Sequence, residues 1–145
     1  MKQISEKIKL ILSLSKTHSI IIKRFDSGMG NGIGFNEFLI LFYLDQAKEK
    51  KLRRIDLAEK IEMTASGITR ILLPMEKIGL IKNDSDTKDA RVRLVSISAS
   101  GRQKFEEALE RLNFLFDDVL ANKKASEIKA LSDMLRQIGG EILMS

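Results

Sequence analysis

The sequence predicts a mainly α-helical chain with one small β-hairpin, an α+β arrangement. Three observations carry this. Apolar residues recur at steps of three and four through most of the length, the mark of helices with one buried face. Two short helical units meet at a tight turn between Asp56 and Gly79. A strand, a charged turn and a return strand follow, and the stretch DTKDARVRLVSISASG, from Asp86 to Gly101, closes the pattern.

The first 25 residues read as a helix, with Ile4, Ile8, Ile11, Leu12, Ile22 and Phe25 at helical spacing. Four glycines between Gly28 and Gly34 break it. A second helix, Asn36 to about Gln46, is apolar nearly all round and is predicted to be buried on most sides. Lys48 to Arg54 reads as a basic connector. Asp56 to Ile61 forms a short helix and Glu62-Met63 the turn after it. Thr64 is placed to cap the next helix, its hydroxyl accepting from the N–H of Ser66 or Gly67. In that helix Ile68, Ile71, Leu72, Met75 and Ile78 make the inward stripe, while Ala65, Ser66, Thr69 and Arg70 fall on other faces. Gly79 takes the position past the helix end that favours a left-handed residue.

Leu80-Ile81-Lys82 begins a strand and Arg91 to Ile97 returns. Ser98 caps a long helix from about Ala99 to Leu120, with Phe105, Leu109, Leu112, Phe116 and Val119 on one face. A last helix, about Ser126 to Leu143, carries Ile128, Leu131, Leu135, Ile138 and Ile142. Both stripes are spaced as helix-pairing seams are.

Composition bounds the function. The chain has 145 residues, 43% hydrophobic and 31% charged, which fits one domain, 1–145. Its apolar runs are too short to span a bilayer, and lysines at 2, 7, 9 and 16 interrupt the N-terminal segment, so a cytoplasmic protein without membrane contact is expected. The absence of cysteine excludes disulfides, thiolate catalysis and cysteine-based redox sensing. A net charge of +5 leans toward nucleic acid, although the excess is not piled onto one segment.

A slim helix entering a major groove about 12 Å wide needs small or flexible leading residues, and Ala65, Ser66, Gly67 and Thr69 meet that need. Thr64 and Ser66 are suited to phosphate, and Arg70 can reach phosphate or guanine. The helix N-terminus adds free N–H groups and a favourable dipole for phosphate. A hairpin directly after this helix completes a winged helix-turn-helix, its wing carrying Lys88, Arg91 and Arg93. Arg54 adds a further basic group for phosphate.

From Leu57 to Gly101 the chain resembles the MarR family of bacterial transcription regulators. The segments that carry the resemblance are Leu57-Ala58-Glu59-Lys60-Ile61, Ser66-Gly67-Ile68-Thr69-Arg70-Ile71 and Met75-Glu76-Lys77-Ile78-Gly79-Leu80-Ile81. The wing signature, Asp86-Thr87-Lys88-Asp89-Ala90-Arg91 followed by Leu94-Val95-Ser96-Ile97-Ser98 and Gly101, belongs to the same likeness. The resemblance implies a homodimer joined through the first and last two helices (about 1–25 and 99–143) and a DNA-binding lobe over about 35–98. It implies a pseudo-palindromic double-stranded DNA partner, with Thr64 to Lys77 in the major groove and the wing arginine near the minor groove. It further implies that Asp89 pairs with Arg91, and that the protein is a repressor released by a small, commonly aromatic, ligand. One departure stands out: Leu73 and Pro74 occupy the late exposed face of the recognition helix, where the family usually has polar residues. Pro74 leaves the Arg70 carbonyl without its i+4 donor and either bends the helix end harmlessly or sets the aim of Ser66 to Arg70.

Candidate ligand-binding residues are His18, Phe25 and Phe42, with Phe38 and Tyr43 as further pocket walls, though core packing is the competing role for each aromatic. No metal or cofactor is expected, since a zinc site built from histidine and cysteine is not available with one histidine and no cysteine. No Cys/His pair, nucleophile motif or phosphate-binding glycine loop supports an enzyme. The rival of another class is a winged-helix protein-interaction module without specific DNA binding.

Overall fold

The computed structural model describes residues 2–28, 32–85, 88–89, 91–139 and 141. Met29 to Asn31 of the glycine-rich stretch, the wing residues Asp86, Thr87 and Ala90, and Ile142 and Leu143 of the predicted last helix lie outside the described residues. In order come α1 (Glu6–Gly28), α2 (Phe35–Gln46), β1 (Lys51–Arg53), α3 (Arg54–Lys60), α4 (Ala65–Lys77), β2 (Ile81–Ser85), β3 (Arg93–Ile97), α5 (Ala99–Leu120) and α6 (Ala125–Gln137).

Local chemistry sets the boundaries. The Thr64 hydroxyl accepts from the Gly67 N–H at 3.0 Å and starts α4, and the Ser98 hydroxyl accepts from the Gly101 N–H at 2.9 Å and starts α5. Helices α3 and α4 end by the same device. Met63 N–H donates to the Ala58 carbonyl (2.8 Å) and Leu80 N–H to the Met75 carbonyl (3.0 Å), each spanning a left-handed residue. In α4 that residue is Gly79 (φ 81°), as predicted, but in α3 it is Glu62 (φ 57°), which bears the steric cost of a side chain.

Three expectations are corrected. The basic connector holds a strand: β1 pairs antiparallel with β3, Leu52 opposite Val95, so the hairpin grows into a three-stranded sheet ordered β1-β3-β2. Three residues are too few to show alternation, and only Leu52, between exposed lysine and arginine, turns inward. Ile78 does not join the buried stripe of α4; it is 65% exposed because it is the C-cap, where ψ has already left the helical range. Helix α6 ends at Gln137, short of the expected Leu143, and Gly139 follows at φ 122°. Helix α4 continues through Pro74 to Lys77 without interruption.

The core lies where α2, α4, the sheet and the first half of α5 meet. Phe25, Ile40, Leu41, Leu44, Leu57, Ile68 and Val95 are all fully enclosed. Helix α2 is buried on most sides, as its composition predicts. The outer helices differ. Phe25 is the one buried residue of α1, and α6 has none among the described residues. Their apolar side chains, Ile8, Ile11 and Leu12 on α1 and Ile128, Leu131 and Met134 on α6, face outward.

Candidate nucleic-acid interface

Helix α4 is amphipathic, and its outward line runs Ser66, Arg70, Leu73, Lys77, steps of four and three that place all four on one face. All four are exposed, whereas Ile68, Leu72 and Met75 are buried on the opposite side. The face is held at a fixed angle from behind. Glu76 accepts from Asn83 Nδ2 of β2 at 2.6 Å, and the Arg54 guanidinium of α3 donates to Thr69 Oγ1 at 3.3 Å. Thr69 in turn donates to the Ala65 carbonyl at 3.0 Å. The same contacts give Arg54, half-buried, and Thr69 a place in the α3–α4 joint.

At the head of α4 a groove of about 300 Å³ is walled by Arg53, Arg54, Ile55, Ala65, Arg91, Val92 and Arg93. Three separate stretches of sequence converge there: the start of α3, the first turn of α4, and the wing. Four arginines around one concave surface concentrate positive potential. Two are neutralised locally, Arg53 by Asp56 (2.9 and 3.1 Å) and Arg91 by Asp89, while Arg54 and Arg93 make no ion pair with the described residues. Asp56 also raises the Arg53 pKa, first through its hydrogen bond and then by charge, so the guanidinium stays ionised. The structure thus adds Arg53 and Ile55 to the groove. The adjacent Arg53-Arg54 pair is the sequence signal for this, of which Arg54 alone is assigned to phosphate from the sequence.

Thr64, Ala65, Ser66 and Arg70 are exposed at or beside the N-terminal half of α4, and Gly67 is half-buried. The Thr64 and Ser66 hydroxyls lie 3.3 Å apart, which sets two polar groups side by side at the helix start. On the wing, Lys88, Arg91 and Arg93 are exposed and Asp89 is half-buried.

The expected pairing at the wing tip is present. Asp89 accepts from the backbone N–H of Arg91 at 3.0 Å, from Nε at 3.2 Å and from Nη2 at 3.4 Å. The backbone N–H first, and the guanidinium second, hold the Asp89 carboxyl below its ordinary 3.8. A carboxylate with a depressed folded pKa stabilises the folded form above its ordinary value and loses that contribution as pH falls through the folded value. The Asp89–Arg91 pair is therefore kept at neutral pH and is lost as pH falls through the folded value. In an NMR titration the Asp89 midpoint is expected below 3.8, and in Arg91→Ala it should rise only part of the way, because the backbone donor remains. A midpoint at the ordinary value in the parent would remove the pair. Arg91 itself points outward, its side chain 91% exposed, so the pair aims the arginine more than it stabilises the fold.

The aromatic candidates pack on one another. Phe25, fully enclosed, meets Phe35 and Phe38 with ring centroids 5.4 and 5.2 Å apart, and Phe38 stacks on Phe105 at 5.5 Å. Half-buried Phe42 contacts Tyr43 at 5.1 Å and Phe105 at 6.4 Å. Burial raises the Tyr43 phenol above its ordinary 10.0. His18 lies exposed on α1. Among the described residues no three His, Cys, Asp or Glu side chains gather where they could hold a metal ion. No described helix is long and apolar enough to cross a membrane.

The model of the MarR family matches residues 35–92. An HTH-type transcriptional regulator of Bacillus cereus is 34% identical over 116 residues, 71% of this chain and 75% of that protein. The transcriptional repressor YetL of Bacillus subtilis is 24% identical over 138 residues, 90% of this chain and 81% of its own. Among solved structures, the transcriptional regulator BldR from Sulfolobus solfataricus superposes with a TM-score of 0.80 at 29% identity, covering 94% of this chain and 99% of its own. A mutant MarR from Escherichia coli, crystallised with operator DNA, superposes at 0.82 with 17% identity, covering 96% and 99%. NadR in complex with 4-hydroxyphenylacetate superposes at 0.79 with 21% identity, covering 95% and 97%. The last two likenesses speak to the fold.

Proposed function

The chain belongs to the MarR family, and from that premise we propose that it is a homodimeric repressor of transcription, bound to a pseudo-palindromic duplex and released by a small aromatic ligand. As a family member it is a DNA-binding transcriptional regulator and not an enzyme. The observation that carries the rest is the arginine-walled groove at the head of α4. A duplex laid across it would meet Ser66, Thr69 and Arg70 with base edges in the major groove. Arg54, Thr64, Ser66, Lys88, Arg91 and Arg93 would meet phosphates, the wing lying toward the minor groove. Asp89 belongs to the DNA-binding set through Arg91, which it positions, while Ala65 and Gly67 let the backbone approach closely. The test is a mobility-shift titration of the chain on duplexes it recovers from a random pool. A recovered consensus bound more tightly than scrambled DNA supports this reading, and equal weak binding to all sequences would favour a protein-interaction module.

Dimerisation is carried by α1, α5 and α6. Ile128, Leu131 and Met134 of α6 and Ile138 at its C-cap are 37–61% exposed, and no residue of α6 is buried by the rest of the chain. A second copy related by a two-fold axis would cover the same stripe on both chains. Leu131→Glu places two uncompensated carboxylates in that interface, and sedimentation should show dimer dissociation about a hundredfold easier or more. Unchanged association would remove α6 from the interface. The aromatic ligand is proposed from the family resemblance and from the likeness to NadR with its 4-hydroxyphenylacetate. His18 and Phe42 are its proposed contacts on α1 and α2, with Phe25 acting from the core behind them.

A further inference from the structure

Leu73 is 52% exposed, yet it sits in the middle of the outward line of α4, between Arg70 and Lys77. It is not spare surface at a helix end. The rise per residue puts it about 4.5 Å beyond Arg70 along the axis, little more than one base-pair step. Pro74 extends the apolar patch on the same exposed side. An apolar side chain on a helix that enters the major groove loses its water and can satisfy no donor or acceptor there. One group in that groove is apolar, the C5-methyl of thymine.

We infer that Leu73 is a specificity-determining residue that reads a thymine methyl in the half-site, next to the position faced by Arg70. The inference rests on the DNA-regulator reading above and deepens it. Leu73 discriminates by contact and by exclusion: it buries against the methyl of thymine and leaves the polar edge of cytosine desolvated and unpaired. Because Leu73 contributes nothing to the core, its replacement leaves the fold in place.

The test separates this inference from the reading beneath it. A consensus duplex is recovered from a random pool with the parent chain. Each thymine is then replaced in turn by deoxyuridine, which removes only the methyl, and affinities are measured by fluorescence anisotropy. For the parent, one symmetric thymine pair should weaken binding about fourfold per half-site when its methyl is removed, the effect of one buried methyl-sized group. Leu73→Ala should bind the thymine and deoxyuridine duplexes equally, and Leu73→Met should keep a difference. Equal sensitivity of the parent and Leu73→Ala to the same substitution, or no sensitive thymine in a recovered consensus, overturns the inference alone. Failure of the parent to recover any consensus overturns the DNA-regulator reading and this inference with it.

Discussion

Gly101→Ala is expected to lower the stability of the folded chain by about 3 kcal/mol, which for this length is a fall in Tm of about 6–12 °C. Gly101 is buried in the first turn of α5. A Cβ there would overlap the carbonyl oxygen of Leu80 and come within 3.0 Å of Ile97 Cγ1. The Leu80 carbonyl cannot step aside, because it already accepts from the Ser98 N–H at 3.1 Å. Ser98 is fastened on the other side too, its hydroxyl donating to the Gly79 carbonyl at 2.5 Å. Gly79-Leu80 and Ser98–Gly101 thus form a clasp that ties the end of α4 to the start of α5. Through it the recognition helix is fixed relative to the long helix proposed for dimerisation. Ser100→Ala, on the exposed side of the same turn, is expected to fall within about 0.5 kcal/mol of the parent. Equal thermal unfolding of Gly101→Ala and the parent would show that the clasp yields.

Arg70→Ala is expected to weaken binding to the recovered duplex by about 1–3 kcal/mol, roughly five- to 150-fold, with relaxed preference at one position of each half-site. Arg70 is exposed on the outward face of α4, and its neighbours Ile71 and Leu72 carry the packing, so the loss should come from contact and not from unfolding. The contrast with Arg91→Ala separates two kinds of contact. Removing a wing charge that touches phosphate should weaken all sequences about equally and flatten the salt dependence by about one charge. If Arg70→Ala kept the affinity and the preference of the parent, Arg70 would face solvent in the complex and the docking of α4 would have to be turned.

Much of this arrangement is legible in the sequence because each feature is written in a few adjacent residues. The Thr64 and Ser98 caps, the Gly79 turn, the stripe Ile68-Leu72-Met75 and the Asp89–Arg91 pair each depend on spacings of two to four. What escaped depends on distant partners. Strand β1 exists because β3 is beside it, and nothing in Lys51-Leu52-Arg53 alone announces an edge strand. Arg53 and Ile55 join the groove only when α3 folds against the wing. Phe25 and Phe42 are pocket walls or core depending on which rings surround them; two rings of α2, Phe35 and Phe38, pack against Phe25, and Phe105 of α5 meets Phe42. The left-handed Glu62 imitates a glycine turn without a glycine, so its residue type carried no warning.

In the proposed complex two copies of this chain place two α4 helices in successive major grooves of one duplex. Footprinting of the parent on its recovered consensus tests it most directly. Two-fold symmetric protection, with half-site centres about 10–11 base pairs apart or a multiple of that, is the predicted result. Protection of one unrepeated half-site, or of none in particular, would contradict it.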